Sequence, residues 1–373
     1  MDKKKPYIVI TAGGTGGHIF PAESLRRALS YSRKYKVLFV TDTRGSFFIE
    51  KASLADGMLV IPTIRPSIKR FFSLPLELNK FAFSIGKILS MFLRNKPSVI
   101  IGFGGYASFP TLIAAFLCRI PVIIHESNSV MGRTNKWFLP FSKAAMVSFN
   151  NVIGVDKAFI NKLKITGTPV RECISKFSSK KRIDYDGFNI LVIGGSQGAK
   201  VISEAVPKAI ISLPEDIRST ISVWQQVRQE QVEMAKSLYS GMVKDFTVST
   251  FFSDNSSDKI NIGELMFKAD LVIARAGAGT ISEIETLGKP SILIPFAAAK
   301  DDHQTHNANS LAKRDAAIII NESDKMVDQL IDVLSGLIKN PKAVVQMGRN
   351  AKSDIHLKSS EAIISLVKEY TGI

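Results

Sequence analysis

Apolar residues in this chain come in short unbroken runs. After YIVI (7–10), the first half carries VLFV (37–40), SVIIGF (98–103), PVIIHE (121–126), AMVSF (145–149) and KIT (164–166). The second half carries FNILVIGG (188–195), SVWQQ (222–226), FTVSTF (246–251), DLVIARAG (270–277), SILIPF (291–296) and AIIIN (317–321). Runs of Val, Ile and Leu without alternation suit strands covered on both faces, as in a parallel sheet. The amphipathic segments between them suit crossover helices. The pattern is doubly wound α/β, and it occurs twice. IIGFGGYASFPTLIAAFLCRIPVIIHE is answered by LVIARAGAGTISEIETLGKPSILIPF, with Pro121 matched by Pro290. The join falls near KITGTPVREC, where Gly167 and Pro169 interrupt the pattern. A last helix from about Asp354 to Tyr370 has no strand after it, and the pattern does not say which half it packs on.

Length agrees with two domains: 373 residues against a prior of about 150 per domain. A content of 45% hydrophobic and 22% charged residues excludes wholesale disorder. Charge adds something new. With 49 Lys+Arg against 33 Asp+Glu the formal net charge is +16, which draws a protein toward nucleic acid, an acidic membrane face or phosphorylated substrates. General background basicity is the plainer alternative. Two cysteines, Cys118 and Cys173, make neither a disulfide framework nor a zinc cage and suit a reducing compartment. The first apolar run is too short for a signal peptide, and none reaches the ~18 residues that span a bilayer. The expectation is a cytoplasmic, soluble chain.

Three glycine loops follow strands: Gly13-Gly14-Thr15-Gly16-Gly17-His18, Gly194-Gly195-Ser196-Gln197-Gly198 and Ala276-Gly277-Ala278-Gly279-Thr280. In open α/β sheets ligands sit beyond the carboxyl ends of the strands. A glycine loop there lets backbone N–H groups approach a phosphate, and the next helix adds its positive end. The first loop departs from G-x-G-x-x-G at Ile19, and no Gly-Lys-Ser/Thr follows, so neither usual nucleotide fingerprint applies. His18 sits where loop meets helix. The helix end disfavours its charged form, which fits a general base; an N-capping histidine is the alternative. Asp301-Asp302-His303-Gln304 with His306 resembles metal ligands, but ligands so crowded in sequence rarely converge, and a loop entering a helix explains them equally well. Asp184-Tyr185-Asp186 precedes its strand and so points away from the ligand end. No metal and no cofactor is expected.

GGTGGHIFPA, GGYASFP, HESNSVMGRTNK, GTPVR, GGSQGAK, RAGAGTISEI and AAAKDDHQTHNA, in this order, resemble the MurG family of peptidoglycan glycosyltransferases over nearly the whole chain. The resemblance implies a GT-B architecture, two Rossmann-like doubly wound parallel-sheet domains facing across a cleft. It implies an acceptor- and membrane-binding domain at 1–166, joined by the C-terminal helix at about 355–373, and a UDP-sugar domain at 167–354. The implied reaction is an inverting, metal-independent transfer of N-acetylglucosamine from UDP-N-acetylglucosamine to lipid I, forming lipid II. Thr15, Gly16 and Gly17 are then donor contacts and His18 the catalytic base. Asn128 lies near the transferred sugar, with His125 and Glu126 beside it. Arg171, Ser196 and Gln197 belong to the donor pocket. Ala278, Gly279, Thr280, Ile281 and Ser282 take the diphosphate, Glu283 the ribose and Gln304 the sugar hydroxyls. Two departures stand out. The family's HEQN reads HESN here, with Ser127 for glutamine, and FFSDNSSDKINIGELM (251–266) is longer than the family's turn, which leaves its uracil contact unassigned.

In the implied displacement His18 takes the proton of the C4 hydroxyl of the muramoyl sugar, that oxygen attacks C1 of the donor, and amides stabilise the departing UDP. A lipid acceptor gives the charge a destination. Residues 65–96 hold seven basic residues, one acid and five phenylalanines. From about Pro75 the helical period puts Leu78, Phe81, Ile85, Ile88 and Phe92 on one core face. Lys80, Lys87 and Arg94 recur on the opposite face, with Leu76, Phe83 and Met91 near them; Lys69, Arg70, Phe71 and Phe72 precede the helix. Apolar side chains among cations suit an anionic bilayer surface, with snorkelling over core as the alternative. The expected location is peripheral, on the cytoplasmic face of the bacterial inner membrane, and the family leaves room for a partner in the cell-division or elongation machinery. Two rival readings remain. A UDP-N-acetylglucosamine 2-epimerase would bind the same donor without needing a lipid face. A nucleic-acid binder would leave the glycine loops unexplained, and no nucleic-acid partner is expected.

Overall fold

A computed structural model of the 373-residue chain describes all residues except 1–4, 50–56, 63–73, 182–186, 196–197, 254–260 and 373; the side chains of 74–77 and 300 are likewise left aside. The chain divides into two compact units, Met1–Pro169 together with Ile355–Ile373, and Val170–Asp354. The chain thus leaves the first unit after Pro169 rather than at 166, and Arg171 belongs to the second.

The first unit is built on a parallel sheet. Its strands are β1 (Tyr7–Thr11), β2 (Lys36–Thr41), β3 (Met58–Val60), β4 (Val99–Gly102), β5 (Val122–Glu126), β6 (Ala144–Val147) and β7 (Leu163–Ile165). They lie in the order β3-β2-β1-β4-β5-β6-β7. Both faces are covered. Ile8, Ile10, Val99 and Ile101 pack with Leu25 and Leu29 of helix Gly16–Tyr31 and with Ile363 and Val367 of helix Ser359–Thr371. Val9, Ile100 and Ile124 pack with Ile88 and Phe92 of helix Leu74–Arg94 and with Leu112 and Ala115 of helix Ser108–Leu117. Neighbours in sequence point to opposite faces, so a strand buried on both sides has no solvent-facing position, and a polar residue in it, such as Asn189 bonded to Asp270, needs a partner inside. That is why its runs are unbroken.

The second unit repeats the plan with β8 (Phe188–Ile193), β9 (Ile221–Gln226), β10 (Asp245–Ser249), β11 (Leu271–Ala274), β12 (Ser291–Leu293) and β13 (Ala317–Ile319), in the order β10-β9-β8-β11-β12-β13. All register pairs are parallel. Strand β3 is the one described strand that the apolar runs do not announce. It is a three-residue edge strand with no fully buried position.

Two helices differ from expectation. The last begins at Ser359, not near Asp354. The chain before it turns so that buried His356 can accept Thr168 N–H on Nδ1 at 3.0 Å. In helix Leu74–Arg94, Phe81 and Ile85 are half-buried and Ile88 and Phe92 buried, but Leu78 is 53% exposed. Ser84 takes a buried place instead, donating to the carbonyls of Lys80 and Pro62. No helix among the described residues is long and apolar enough to cross a membrane.

Candidate functional site

In the first unit, the loops after β1 and β4 meet each other. Gly13 packs so closely on Ala107 that a Cβ at 13 would lie 2.1 Å from the alanine Cβ. Gly105, at φ +78, faces the Gly13 carbonyl, which would stand 2.4 Å from a Cβ there. Only glycine fits both the contact and the positive φ. Asp42 braces this crossing: its Oδ1 accepts Gly14 N–H at 3.2 Å and Gly45 N–H at 2.8 Å. Thr15 is the N-cap of helix Gly16–Tyr31, and its carbonyl accepts the amides of His18 and Ile19. His18 is therefore a first-turn residue, not the cap. Its half-buried ring lies on the second loop, with Cε1 and Cδ2 each 3.4 Å from where the β-carbons of Gly104 and Gly105 would stand. Thr15 and Gly17 are exposed, and Gly16 is buried.

At the end of β5, His125 and Glu126 are almost wholly buried. The Gly167 carbonyl, 3.0 Å from His125 Nε2, can only accept, so Nε2 carries the proton. Nδ1 is then the acceptor, and the Ser127 hydroxyl at 3.3 Å donates to it. The serine that replaces the family's glutamine thus completes the imidazole's hydrogen bonding. Burial pushes His125 down to about 4, against the Gly167 bond and with help from the fields of His18 and His356. Phe103 stacks on it at 4.8 Å. Glu126 accepts four N–H groups: Asn128 N and Nδ2 on Oε1, both at 3.0 Å, and Gly132 N and Asn135 Nδ2 on Oε2, both at 2.8 Å. A buried carboxylate is tolerated when so many donors face it. It fixes the loop that carries half-buried Asn128, and commits that amide's Nδ2 inward.

In the second unit, helix Ala278–Leu287 begins right after β11, with Gly277 as N-cap. Ile281 N–H bonds back to Gly277 at 3.0 Å, the Ile281 side chain is buried, and the Ser282 hydroxyl donates to the Ala278 carbonyl. Of the five residues expected at the diphosphate, only Ala278, Gly279 and Thr280 thus keep amides outside the helical ladder. No heavy atom lies within 4 Å of the β-carbon positions of Gly277 and Gly279, so the space in front of them is open. Glu283 is joined to Arg171 by two parallel bonds, Nε to Oε1 at 2.7 Å and Nη2 to Oε2 at 3.0 Å. Two residues 112 apart in sequence, both expected at the donor, therefore form one unit. Gln304 accepts Phe296 N–H on Oε1 at 3.0 Å, which turns its NH₂ group the other way. Beyond the carboxyl ends of β9 and β10 lies a cavity of about 400 Å³ whose lining includes Gly198, Arg228, Thr250 and Phe251.

Ser196 and Gln197, the loop residues Lys69, Arg70, Phe71 and Phe72, and Asp184-Tyr185-Asp186 lie outside the described residues. Among the described residues no three His, Cys, Asp or Glu side chains come together as metal ligands. Asp301 and Asp302 instead hold left-handed backbone at φ +56 and +48, and Asp302 accepts the Thr305 hydroxyl at 2.6 Å. Lys80, Phe83, Lys87 and Arg94 are exposed, whereas Met91 is half-buried against the first unit's core.

Two family models match the chain: the glycosyltransferase family 28 N-terminal domain over residues 8–147 and the C-terminal domain of the same family over 189–364. A curated relative from Paramagnetospirillum magneticum is 37% identical over 98% of this chain and 97% of its own length. It is named UDP-N-acetylglucosamine--N-acetylmuramyl-(pentapeptide) pyrophosphoryl-undecaprenol N-acetylglucosamine transferase. A relative of the same name from Rhodopseudomonas palustris is 35% identical over 99% of this chain and 97% of its own. The crystal structure of Acinetobacter baumannii MurG superposes with a TM-score of 0.76 at 27% identity, covering 98% of this chain and 99% of that one. The chain belongs to the MurG family. The UDP-GlcNAc 2-epimerase of Neisseria meningitidis, solved with UDP-GlcNAc, shares the fold with a TM-score of 0.64 but only 13% identity over 97% of this chain and all of that one. That likeness is one of fold alone.

Against the MurG motifs, sequence reasoning missed the buried helpers. Asn135 joins Glu126 to the His125 carbonyl, and Asn307 donates to the Ala276 carbonyl at 3.1 Å. Both stand inside quoted motifs. A helical spacing of three from Gln304 was the available signal for Asn307.

Proposed function

We propose that this chain is an N-acetylglucosaminyltransferase that moves N-acetylglucosamine from UDP-N-acetylglucosamine to lipid I and so forms lipid II. The observation that carries this reading is membership of the MurG family over nearly the full length of the chain. The finer reading is an inverting displacement. His18 removes the proton of the muramoyl C4 hydroxyl, the freed oxygen pair attacks C1 of the donor, the C1–O bond breaks, and UDP leaves with the electrons. The amides of Ala278, Gly279 and Thr280 take the growing charge in place of a cation, a role that an open helix N-terminus suits. Glu283, held by Arg171, accepts from the ribose hydroxyls. Asn128, Gln304, Thr15, Gly16 and Gly17 complete the donor contacts in this reading. The cavity beside Phe251 offers the uracil ring an apolar wall.

The first unit is read as the acceptor and membrane side. Supporting this, exposed Phe83 shares a helix face with exposed Lys80, Lys87 and Arg94. The neighbouring helix Ser108–Leu117 ends in exposed Phe116 and Leu117, and Phe116 meets exposed Phe141 edge to face at 4.9 Å. Exposed apolar side chains among cations are what an anionic bilayer attracts. The reading places the protein on the cytoplasmic face of the inner membrane without crossing it. The test is an assay for radiolabel passing from UDP-N-acetylglucosamine into lipid I, with and without the lipid. Label appearing in lipid only when lipid I is present supports the reading; conversion of the free nucleotide sugar without lipid rejects it in favour of an epimerase.

A further inference from the structure

The orientation of the helix Ala278–Leu287 end is set by a residue that never reaches its open side. Gly277, the N-cap, has no side chain to cap the helix, and its carbonyl accepts Ile281 N–H. A helix leaves its first four amides without internal partners, here those of Gly277, Ala278, Gly279 and Thr280. The last three follow the helix axis. The first belongs to the Ala276–Gly277 peptide, which lies outside the helix and is free to turn unless something holds it.

Asn307 holds it. This asparagine, 0% exposed on helix His303–Ala312, donates Nδ2–H to the Ala276 carbonyl at 3.1 Å. A carbonyl can only accept, so Nδ2 and not Oδ1 faces it. In a trans peptide C=O and N–H point in opposite directions. Holding the Ala276 oxygen on buried Asn307 therefore aims Gly277 N–H away from that side chain. The residue before is equally fixed: Arg275 donates Nη1 to the carbonyls of Ile294 at 3.1 Å and Pro295 at 3.2 Å.

We infer that Asn307 is a positioning residue for the donor, and that it makes Gly277 N–H a fourth amide of the diphosphate site. The inference rests on the donor reading above and adds a residue and an amide that the motif match does not assign.

Two substitutions at 277 isolate that amide. Gly277 has φ −68 and ψ +142, which both alanine and proline adopt, and its β-carbon position is unobstructed. Gly277→Ala keeps the N–H and Gly277→Pro deletes it. UDP affinity is measured by titration calorimetry for wild type, both 277 variants and Asn307→Ala, with uridine as the ligand lacking phosphate and thermal unfolding as the check on folding. Gly277→Ala serves as the reference that carries the added β-carbon and keeps the N–H, and Gly277→Pro is read against it. Gly277→Pro and Asn307→Ala should each lose about tenfold, the size of one hydrogen bond to a charged group, with uridine unaffected. UDP affinity unchanged in folded Gly277→Pro overturns the inference, as does an equal loss of UDP and uridine in Asn307→Ala. Wild-type protein that fails to bind UDP overturns the donor reading itself, and this inference with it.

Discussion

His125 shows how little of a site's chemistry need touch a substrate. It is fully buried, donates to one carbonyl and accepts from one hydroxyl, and is satisfied only while neutral. Its folded value of about 4 lies below the ordinary 6.5, so between those values the unfolded chain binds the extra proton. Stability then rises with pH across that window and is lost as pH falls toward 4, by on the order of 3 kcal/mol at most. Thermal unfolding at pH 7 and pH 4.5 checks this: wild type should lose more melting temperature on acidification than His125→Asn. His18 is a different case, half-buried on the glycine crossing. If it is the base, His18→Ala lowers kcat by ~10²–10⁴-fold, and a near-normal kcat removes it from that role. Arg171 and Glu283 make a third prediction. The two-bond pair fixes the carboxylate that is proposed to accept from the donor's ribose. Arg171→Ala should raise KM for UDP-N-acetylglucosamine about tenfold or more with a smaller change in kcat, and Arg171→Lys should not restore it, because an ammonium cannot make both bonds. His18, Arg171 and Glu283 can be named as candidates from the sequence because motifs name residue types. Asn307 and Asn135 cannot, since each acts by gripping a backbone carbonyl, and no side-chain pattern records which carbonyl a fold will present.

Among the elements, sheet strands read clearly because burial on both faces favours apolar residues at successive positions. The exception, Met58–Val60, is short, at an edge and only partly covered, so nothing obliges its sequence to be apolar for long. Helix periodicity read the buried side of Leu74–Arg94 in large part, but a stripe shows which residues share a face, not how far the partner surface extends. Leu78 therefore lies on the core stripe by angle yet stands exposed, and Leu93, which the stripe did not flag, is 74% exposed. That helix carries its own prediction. Phe83→Asp combined with Lys87→Glu changes only exposed positions. The double variant should unfold like wild type yet sediment far less with vesicles rich in anionic phospholipid; undiminished sedimentation removes this face from the membrane reading. Salt should weaken the wild-type association as well, since the attraction is partly electrostatic.

On the scale of the whole chain, two repeats of one α/β plan carry two kinds of glycine loop. The first unit's loops meet each other around His18; the second unit's third loop opens a helix onto empty space. The points where the chain leaves and re-enters the first unit are fastened together. Gly167, at φ +72, would bring a Cβ to 2.8 Å from the Ile355 carbonyl, and Thr168 N–H donates to His356. Nothing in local sequence announces that fastening, because its partners are 188 residues apart. The central claim is that main-chain amides, not a divalent ion, receive the charge of departing UDP while the sugar passes to a lipid. Transfer of radiolabelled N-acetylglucosamine from UDP-N-acetylglucosamine to lipid I in excess EDTA measures it most directly. The account predicts labelled lipid II at the same rate with and without the chelator; label entering lipid only after a divalent ion is restored would contradict it.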